Sequence, residues 1–235
     1  MNMLGFLNSR NKRYADYYGL LRRIHSFLKP ATYVEIGVRH GTSLQMASTA
    51  HCAVGIDPDP QLAVPLPPSM RLFRMTSDEF FAKNDLTKEL GGHAFNLAFI
   101  DGMHLFEYVL RDFINLERAA GPGSVILAHD CYPINRETAQ RERATDLWSG
   151  DVWKLVVCLK KYRPDLELRT VDVPPTGLAI IRRLSPASDL LASRLEDLYS
   201  EFVPLDYGEI ETDKAQRLNR IDSRWSEIEA VLSVR

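Results

Sequence analysis

The chain has 235 residues, of which 45% are hydrophobic and 26% are charged, and its formal net charge at pH 7 is −2. This composition is typical of a globular protein that buries its own core, and it argues against nucleic-acid binding through bulk charge. The three cysteines form no CxxC pair, which excludes both a disulfide framework and a zinc ribbon.

The sequence carries no recognisable membrane or export signal. No apolar stretch approaches the roughly 18 residues that a membrane-spanning helix needs. The first ten residues lack a leading positive charge and contain only a short apolar run, so they make a poor signal peptide. We therefore expect a cytoplasmic protein that binds neither membranes nor nucleic acids.

The chain begins with a helical pattern over residues 14–28. Its apolar positions 20, 21, 24 and 28 fall on one side of a helix, and Pro30 follows as a stop signal. We predict a helical N-terminal extension over residues 1–30.

Short apolar segments then alternate with amphipathic or loop-like stretches, at residues 33–36, 53–56, 71–75, 97–100 and 124–128. This alternation predicts βαβ units and a parallel sheet. Two more strand candidates, 166–173 and 178–182, are joined by four residues, a connection too short for a crossover helix, so they form an antiparallel hairpin. The sequence therefore predicts an α/β domain over residues 31–184, with a doubly wound, mostly parallel seven-stranded sheet and an antiparallel last hairpin.

After residue 184 the pattern becomes helical again, and we predict a C-terminal helical extension over residues 185–235. Apolar residues at 190, 191, 195, 198 and 202 form one stripe, and a second, heptad-like stripe runs through 218, 221, 225, 228 and 232. A helix packed on its own domain and a short coiled coil both fit the second stripe. Contacts between two copies of the chain would use these extensions.

A glycine loop follows the first strand candidate. Gly37 ends that strand, Gly41 follows four residues later, and a helix candidate begins near Thr42 and Ser43. Glycine permits a sharp turn and a close approach to a ligand, and a helix N-terminus offers free N–H groups. Asp57 ends the second strand, where a carboxylate can accept hydrogen bonds from both ribose hydroxyls of an adenosine cofactor. The alternative is a plain strand–turn–helix with a solvated Asp57.

The loop lacks the GxGxxG pattern of nicotinamide-dinucleotide sites. Gly-x-x-x-Gly preceded by Glu35 resembles the first motif of class I S-adenosylmethionine-dependent methyltransferases, which also carry the antiparallel last hairpin. The resemblance implies that S-adenosylmethionine lies over the loop, with Glu35 near its amino group and Ser77 near its adenine. Ser77 fits a helix N-cap equally well. The implied cofactor-binding residues are Glu35, Gly37, Gly41, Thr42, Ser43, Asp57, Ser77 and Asp101.

Acidic residues and histidines follow two further strand candidates. Asp101 and His104 come directly after one strand, and His129 and Asp130 end the next. The carboxyl ends of parallel strands meet at one edge of a sheet, so we expect these side chains to converge beside the glycine loop. Carboxylate oxygens suit Mg²⁺ or another small divalent ion, which would lower the pKa of a bound hydroxyl. The His104 imidazole could then take the proton at neutral pH.

The run IDGMH, with LERAAGPGSVILAHD and GDVWKLVV…PTGLAII after it, resembles the small bacterial O-methyltransferases related to macrocin O-methyltransferase and the cephalosporin-hydroxylase group. The resemblance covers about residues 31–184 and implies metal ligation by Asp101 and Asp130 and a base role for His104. The chain departs from the group's pattern at His129, itself a candidate ligand, and at Cys131. A helix cap for His104 and simple packing for His129 are the structural alternatives.

The resemblance implies transfer of a methyl group from S-adenosylmethionine to a hydroxyl of a small molecule, such as a sugar or a natural-product glycoside, with help from a divalent metal. One alternative is an inactive S-adenosylmethionine-binding scaffold that acts through its C-terminal helices. Another is a nicotinamide-dependent oxidoreductase. Trp148 and Trp153 flank the end of a polar segment, and they fit either a substrate loop or a hydrophobic anchor.

Overall fold

A computed structural model describes residues 13–233 of the chain. Within this range the strands form one eight-stranded sheet in the order β3-β2-β1-β4-β5-β7-β6-β8. The strands are β1 (Thr32–Ile36), β2 (Cys52–Ile56), β3 (Met70–Phe73), β4 (Phe95–Ile100), β5 (Ala120–His129), β6 (Glu167–Asp172), β7 (Leu178–Arg182) and β8 (Arg220–Asp222).

The sheet is parallel from β3 to β5 and antiparallel where β7 pairs with both β5 and β6. The predicted fold class, a mostly parallel doubly wound sheet with an antiparallel last hairpin, is therefore confirmed. The predicted number of seven strands is wrong, because β8 pairs parallel with β6 as an eighth. Three residues are too few for a strand to show its alternating pattern in the sequence.

Helices cover both faces of the sheet, and the sheet separates two hydrophobic cores. The α-helices are α1 (Tyr17–Leu28), α2 (Ser77–Lys83), α3 (Leu86–Glu89), α4 (Phe106–Arg118), α5 (Trp153–Tyr162), α6 (Leu195–Phe202), α7 (Gly208–Glu211), α8 (Lys214–Arg217) and α9 (Trp225–Ser233). One core lies beneath α2 to α6, and the other lies beneath α1 and α9. No helix in the described range is long and apolar enough to cross a bilayer.

The predicted N-terminal helix is present as α1, although it begins at Tyr17 rather than at residue 14. Asp16 is its N-cap and accepts a hydrogen bond from the Gly19 N–H at 2.7 Å, which satisfies one of the free donors at the helix start. Lys29 ends the helix in the left-handed conformation, with φ 47°. The remainder of the predicted extension, residues 1–12, lies outside the described residues.

The helix predicted to begin near Thr42 is wrong in type and length. The chain forms only a 3-10 helix there, Leu44–Ala47, and residues 57–69 connect β2 to β3 without an α-helix. Serine and threonine side chains compete with the backbone for hydrogen bonds and so weaken helices, and Ser43, Ser48 and Thr49 surround this short turn. One face of the sheet is consequently covered by less helix than the pattern predicted.

The heptad-like stripe of the C-terminal extension does not form one helix. Leu218 follows α8, Ile221 lies in β8, and Trp225 begins α9. The stripe nevertheless marks an inward side, since Leu218 and Trp225 are buried. In the first C-terminal stripe Leu190 is 40% exposed, because a 3-10 helix over Ala192–Arg194 precedes α6. The C-terminal chain thus packs on the sheet and extends it.

Candidate active site

The glycine loop follows β1 in the chain and packs against the end of β4. Gly37 has φ 87°, and a Cβ atom added there would lie 2.0 Å from the carbonyl oxygen of Asp101. The Asp101 N–H donates to the Ile36 carbonyl at 2.8 Å. Only glycine allows this approach, because any side chain would displace Asp101. The sequence predicted a glycine that comes close to a ligand, and in this structure it comes close to Asp101.

Glu35 is fully buried beneath the loop rather than open to a cleft. Its carboxylate accepts hydrogen bonds at 2.7 Å from the Tyr33 hydroxyl and the Ser43 hydroxyl. Burial raises the pKa of Glu35 to about 8, although these hydrogen bonds oppose the shift. Glu35 and Ser43 therefore fix the loop from within. The predicted contact between Glu35 and a cofactor amino group stays a prediction.

Asp57 ends β2, and its carboxylate turns towards the glycine loop. Its Oδ2 accepts hydrogen bonds from the backbone N–H groups of Val38 and Arg39, both at 2.8 Å, and its Oδ1 accepts one from the Asp59 N–H at 2.8 Å. A carboxylate oxygen can accept two hydrogen bonds, so Oδ1 keeps a free position. Asp57 thus holds the loop in place, and its predicted contact with a ribose stays a prediction.

The other predicted cofactor residues are less closely grouped. Gly41 has φ 76°, and Thr42 lines a cavity between the loop and α1. Ser77 is the first residue of α2 and lies beside the buried carboxyl of Asp112. The N-cap of α2 is Thr76, whose hydroxyl accepts from the Glu79 N–H, so the N-cap alternative for Ser77 is wrong.

Two carboxylates and two imidazoles meet at the carboxyl ends of β4 and β5. The His104 Nε2 lies 3.5 Å from Asp101 Oδ1 and 3.1 Å from Asp130 Oδ2. The His129 Nδ1 lies 3.2 Å from each of the same two oxygens. Each imidazole thus bridges the same pair of carboxylates. The structure brings together all four residues that the sequence predicted for this place, which we call the His–Asp cluster.

The charged groups of the His–Asp cluster shift one another's pKa values. Burial alone would lower the pKa of His129, but Asp130 and Asp101 outweigh it and raise that pKa to about 10. Burial alone would also lower the pKa of His104, but the same two carboxylates outweigh burial and raise that pKa. The pKa of Asp101 lies below its ordinary range, because the two histidines outweigh the effect of burial. The His129 imidazole is therefore protonated at pH 7 and offsets part of the negative charge of the two carboxylates.

Asp130 occupies an unusual position in the cluster. Its φ is 63°, a left-handed conformation that aspartate tolerates better than most residues, and its side chain is almost fully buried. The Thr176 hydroxyl donates to Asp130 Oδ1. Within the described residues, Asp130 Oδ2 is buried and accepts no hydrogen bond of good geometry, although both imidazoles lie nearby. A buried carboxylate oxygen left in this way can bind a cation.

The indole of Trp148 lies against His104, and the substrate-loop alternative for this segment stays a prediction. The ring centroids are 5.1 Å apart, and the His104 Nδ1–H donates to the Trp148 carbonyl at 2.9 Å. Trp153 is 1% exposed on α5, so this residue is the hydrophobic anchor. The two tryptophans therefore have different roles, which their spacing in the sequence does not reveal.

A buried ionic network holds the Trp148 segment against α4. The Asp151 carboxylate accepts from the Phe106 N–H at 2.7 Å, from Arg141 at 2.5 Å and from Lys154 at 2.8 Å. Gly150 has φ 56°, and a Cβ there would lie 1.8 Å from the His104 carbonyl oxygen. Breaking one member of such a buried network leaves uncompensated charge, so the segment is held in one place.

Two residues of the site were not predicted from the sequence. The Tyr17 ring stacks on the His129 imidazole with centroids 3.9 Å apart, so the start of α1 covers the His–Asp cluster. Thr176 lies in the loop between β6 and β7 and contacts Asp130. The sequence gives no indication that Tyr17 contacts His129, because Tyr17 lies in α1, far from His129 along the chain. Thr176 stands inside the PTGLAII run, which marked its segment without indicating its contact.

The donor set of the His–Asp cluster fits a divalent cation. Ligand atoms of Asp101, His104 and Asp130 all lie within 4.8 Å of one another. Carboxylate oxygens suit Mg²⁺ and Mn²⁺, whereas imidazole nitrogens suit Zn²⁺, Fe²⁺ and Ni²⁺. His104 lies inside this set, although the sequence predicted it only as a base. The mixed donors are less suited to Mg²⁺ than an all-oxygen set would be.

Residues 34–131 match the model of a protein family described as "Methyltransferase domain". Those residues include the glycine loop, Asp57 and all four residues of the His–Asp cluster. A comparison with curated protein sequences finds no significant match.

Solved structures with similar folds are distant in sequence. The cofactor-bound structure of Rv0187 from MTB superposes with a TM-score of 0.55 at 16% identity, over 73% of this chain and 81% of that one. The O-methyltransferase TomG from Streptomyces achromogenes, involved in tomaymycin synthesis and bound to SAM, gives 0.53 at 12% identity, over 70% and 78%. An O-methyltransferase from Bacillus cereus in complex with SAH gives 0.51 at 11% identity, over 75% and 85%.

At these sequence identities the superpositions show only the fold. The family match covers the residues of the glycine loop and of the His–Asp cluster. The eight-stranded order differs from the predicted sheet only by the added edge strand β8. Residues 34–131 thus match the model of a methyltransferase domain, and the described chain has the Rossmann-like fold of the structures that superpose on it.

Proposed function

We propose that this protein transfers a methyl group from S-adenosylmethionine to a hydroxyl of a small molecule, and that the hydroxyl loses its proton at the His–Asp cluster. The observation that carries the proposal is the convergence of Asp101, His104, His129 and Asp130 beside the backbone of Gly37. Methyl transfer from a sulfonium needs two things from a protein, orientation of the reactants and removal of a proton.

The loop and the cluster divide these two tasks. Gly37 packs on Asp101, so a cofactor placed over the glycine loop reaches the edge of the His–Asp cluster. Asp57 holds the loop through Val38 and Arg39 and keeps one acceptor position for a ribose hydroxyl. In this arrangement the methyl donor and the acceptor hydroxyl meet next to Asp101.

His104 is the residue that we assign to proton removal. Its Nδ1–H is committed to the Trp148 carbonyl, so a neutral His104 presents the lone pair of Nε2 to the cluster. Stacking on Trp148 fixes the plane of the ring. A general base must lie within hydrogen-bond reach of the proton that it takes, and a hydroxyl beside Asp101 and Asp130 meets that condition.

A divalent cation would be held by Asp101, Asp130 and His129, with His104 as the neighbouring base or as a further ligand. When bound, such a cation lowers the pKa of a coordinated hydroxyl. Thr176 orients Asp130 through its hydrogen bond, and Tyr17 orients His129 through ring stacking. Partners of this kind fix the direction of metal ligands. The mixture of oxygen and nitrogen donors favours Mn²⁺, Fe²⁺ or Zn²⁺ over the Mg²⁺ expected from the carboxylates alone.

We propose a sugar or a natural-product glycoside as the acceptor. Two exposed apolar side chains, Met103 and Leu147, stand beside His104 and Trp148 in the chain, and each is 53% exposed. Apolar side chains at the mouth of a polar cluster suit a molecule with both hydroxyls and apolar rings. The structurally similar TomG is described as an O-methyltransferase of tomaymycin synthesis, which supports a small natural product as the acceptor.

The test of this function begins with binding. Calorimetry with S-adenosylmethionine, S-adenosylhomocysteine and NAD should give binding of the first two and none of NAD. A set of sugars and glycosides is then assayed for methyl transfer with Mn²⁺, Zn²⁺, Mg²⁺ or chelator present, using His104→Ala as the control. Binding of NAD would reject the assignment in favour of an oxidoreductase. Cofactor binding in a protein with no transfer to any hydroxyl would favour the scaffold alternative.

A further inference from the structure

A groove of about 950 Å³ lies between α1 and the 3-10 helix Leu44–Ala47, and no residue of the His–Asp cluster lines it. It is open because the chain forms a four-residue 3-10 helix and an irregular β2–β3 connection where longer helices would cover the sheet. Its size lies within the range of small-molecule sites, roughly 300–1,000 Å³. Of the predicted cofactor residues, Thr42 lines it, whereas Gly37, Asp57 and Asp101 do not.

The groove is lined by cationic and imidazole side chains. Arg22 and Lys29 line it from α1, and His40 and His51 line it from the opposite side. None of the described residues that line it is an aspartate or a glutamate. In residues 13–233, no ion pair joins Arg22 or Lys29 to a carboxylate. A concave surface lined by positive charges concentrates anions.

His25 lies between these cations and is buried. Its side chain is 6% exposed and lines the groove, and neither of its ring nitrogens has a hydrogen-bond partner within the described residues. One side of its ring packs on the edge of Tyr33 at 4.7 Å. Burial lowers the pKa of His25 to about 4, so the imidazole is neutral near pH 7 and offers one donor and one acceptor. A buried polar group without partners destabilises a protein, so a role in binding would explain its presence.

The groove-facing residues of α1 follow helical spacing. Arg22 and His25 occupy positions i and i+3 of α1, which lie on one side of a helix, and Lys29 directly follows the helix in the left-handed conformation. We propose that this groove binds a hydroxylated organic anion of the sugar-phosphate type, with its anionic group held by Arg22 or Lys29 and a hydroxyl held by His25 after its buried ring turns towards the groove. The site is separate from the cofactor cleft.

Glucose 6-phosphate and uncharged glucose form a matched pair of probes. Calorimetry should give a dissociation constant below about 1 mM for glucose 6-phosphate and no measurable binding of glucose. Arg22→Gln with Lys29→Gln should weaken binding by about tenfold or more, since charge-assisted hydrogen bonds are lost. The matched control is Lys88→Gln with Arg118→Gln, which removes an exposed lysine and arginine elsewhere and should leave binding unchanged. Saturating S-adenosylhomocysteine should not displace the probe.

His25→Phe separates binding from a structural role. Phenylalanine keeps the ring and removes the two unpartnered nitrogens, so the melting temperature should stay the same or rise while glucose 6-phosphate binding weakens. The proposal is overturned if glucose 6-phosphate does not bind, or if it binds equally to wild type and to the Arg22/Lys29 double variant. Displacement by S-adenosylhomocysteine would place the probe in the cofactor cleft and would likewise overturn it.

Discussion

The backbone carbonyl of Trp148 accepts a hydrogen bond from His104 Nδ1 at 2.9 Å, and its indole stacks on the same imidazole. A carbonyl can only accept, so this bond commits the Nδ1 proton of His104 and turns Nε2 towards Asp101 and Asp130. A loop residue far along the chain thus decides which nitrogen of the candidate base faces the cluster. The buried Asp151 network holds that loop in position.

This relationship predicts graded effects on catalysis. His104→Ala should lower kcat by about 10²–10⁴, the usual contribution of a general base. Trp148→Ala keeps the carbonyl but removes the stacking, so it should lower kcat by less, and Trp148→Phe should restore part of the loss. Steady-state kinetics with saturating cofactor measure these values. Full activity in His104→Ala would reduce His104 to a structural residue and leave proton removal to another group.

Metal binding should be coupled to proton release. The pKa of His129 is raised to about 10, so its imidazole carries a proton at pH 7 that a bound cation must displace. Calorimetric titration of Mn²⁺ or Zn²⁺ at pH 7, in two buffers with different ionisation enthalpies, should report proton release, and the affinity should rise with pH. Asp130→Asn should abolish binding, whereas Asp146→Asn, in the exposed loop, should not. Metal binding without proton release would contradict the charge state that we assign to the cluster.

Buried Glu35 should make stability depend on pH in a defined direction. Its folded-state pKa is raised to about 8, so the folded protein binds more protons than the unfolded chain between pH 4.5 and about 8. Stability should therefore fall as the pH rises through this window. Glu35→Gln imitates the protonated form. As the pH rises, the free energy of unfolding of the variant should therefore increase relative to that of the wild type. Urea denaturation at pH 5 and pH 8 measures it, and a pH-independent difference would show that Glu35 does not titrate there.

Asp57→Ala should weaken S-adenosylmethionine binding by about 1.5–3 kcal/mol, the range for hydrogen bonds to a charged group. The structure adds a second route to the loss, because Asp57 also holds the loop at Val38 and Arg39. Asp59→Ala is the matched control, since that neighbouring carboxylate is exposed and holds no loop amide. Unchanged cofactor affinity in a folded Asp57→Ala protein would reject the ribose contact.

The C-terminal chain should be required for a stable fold. Trp225 is 1% exposed and packs edge-on against Phe27 of α1, with ring centroids 5.3 Å apart. Trp225→Ala should lower the free energy of unfolding by about 3–5 kcal/mol, and deletion after Asp213 should expose the core beneath α1 and cause aggregation. Chemical denaturation and light scattering measure the two effects. A soluble truncated protein with unchanged stability would show that the segment is dispensable.

Local patterns in the sequence were enough to predict most of the sheet and the position of the His–Asp cluster. Strand alternation and the short loop before Gly177 depend on neighbouring residues, so they are visible without the fold. The failures share a cause: the helix near Thr42 and the heptad-like stripe also matched a local pattern, but the chain formed a 3-10 helix at one and the strand β8 at the other. A pattern of apolar residues marks the buried side without fixing the element.

The sequence by itself determined that Asp101 and Asp130 stand at the carboxyl ends of strands, because strand ends follow from short-range periodicity, whereas the sheet order that makes these two strands neighbours belongs to the tertiary structure. Only the tertiary structure decided what touches them. Tyr17 reaches His129, and Trp148 reaches His104, through contacts between segments far apart in the chain. The groove between α1 and the 3-10 helix has the same origin, since a cavity forms between elements and no stretch of one element encodes it.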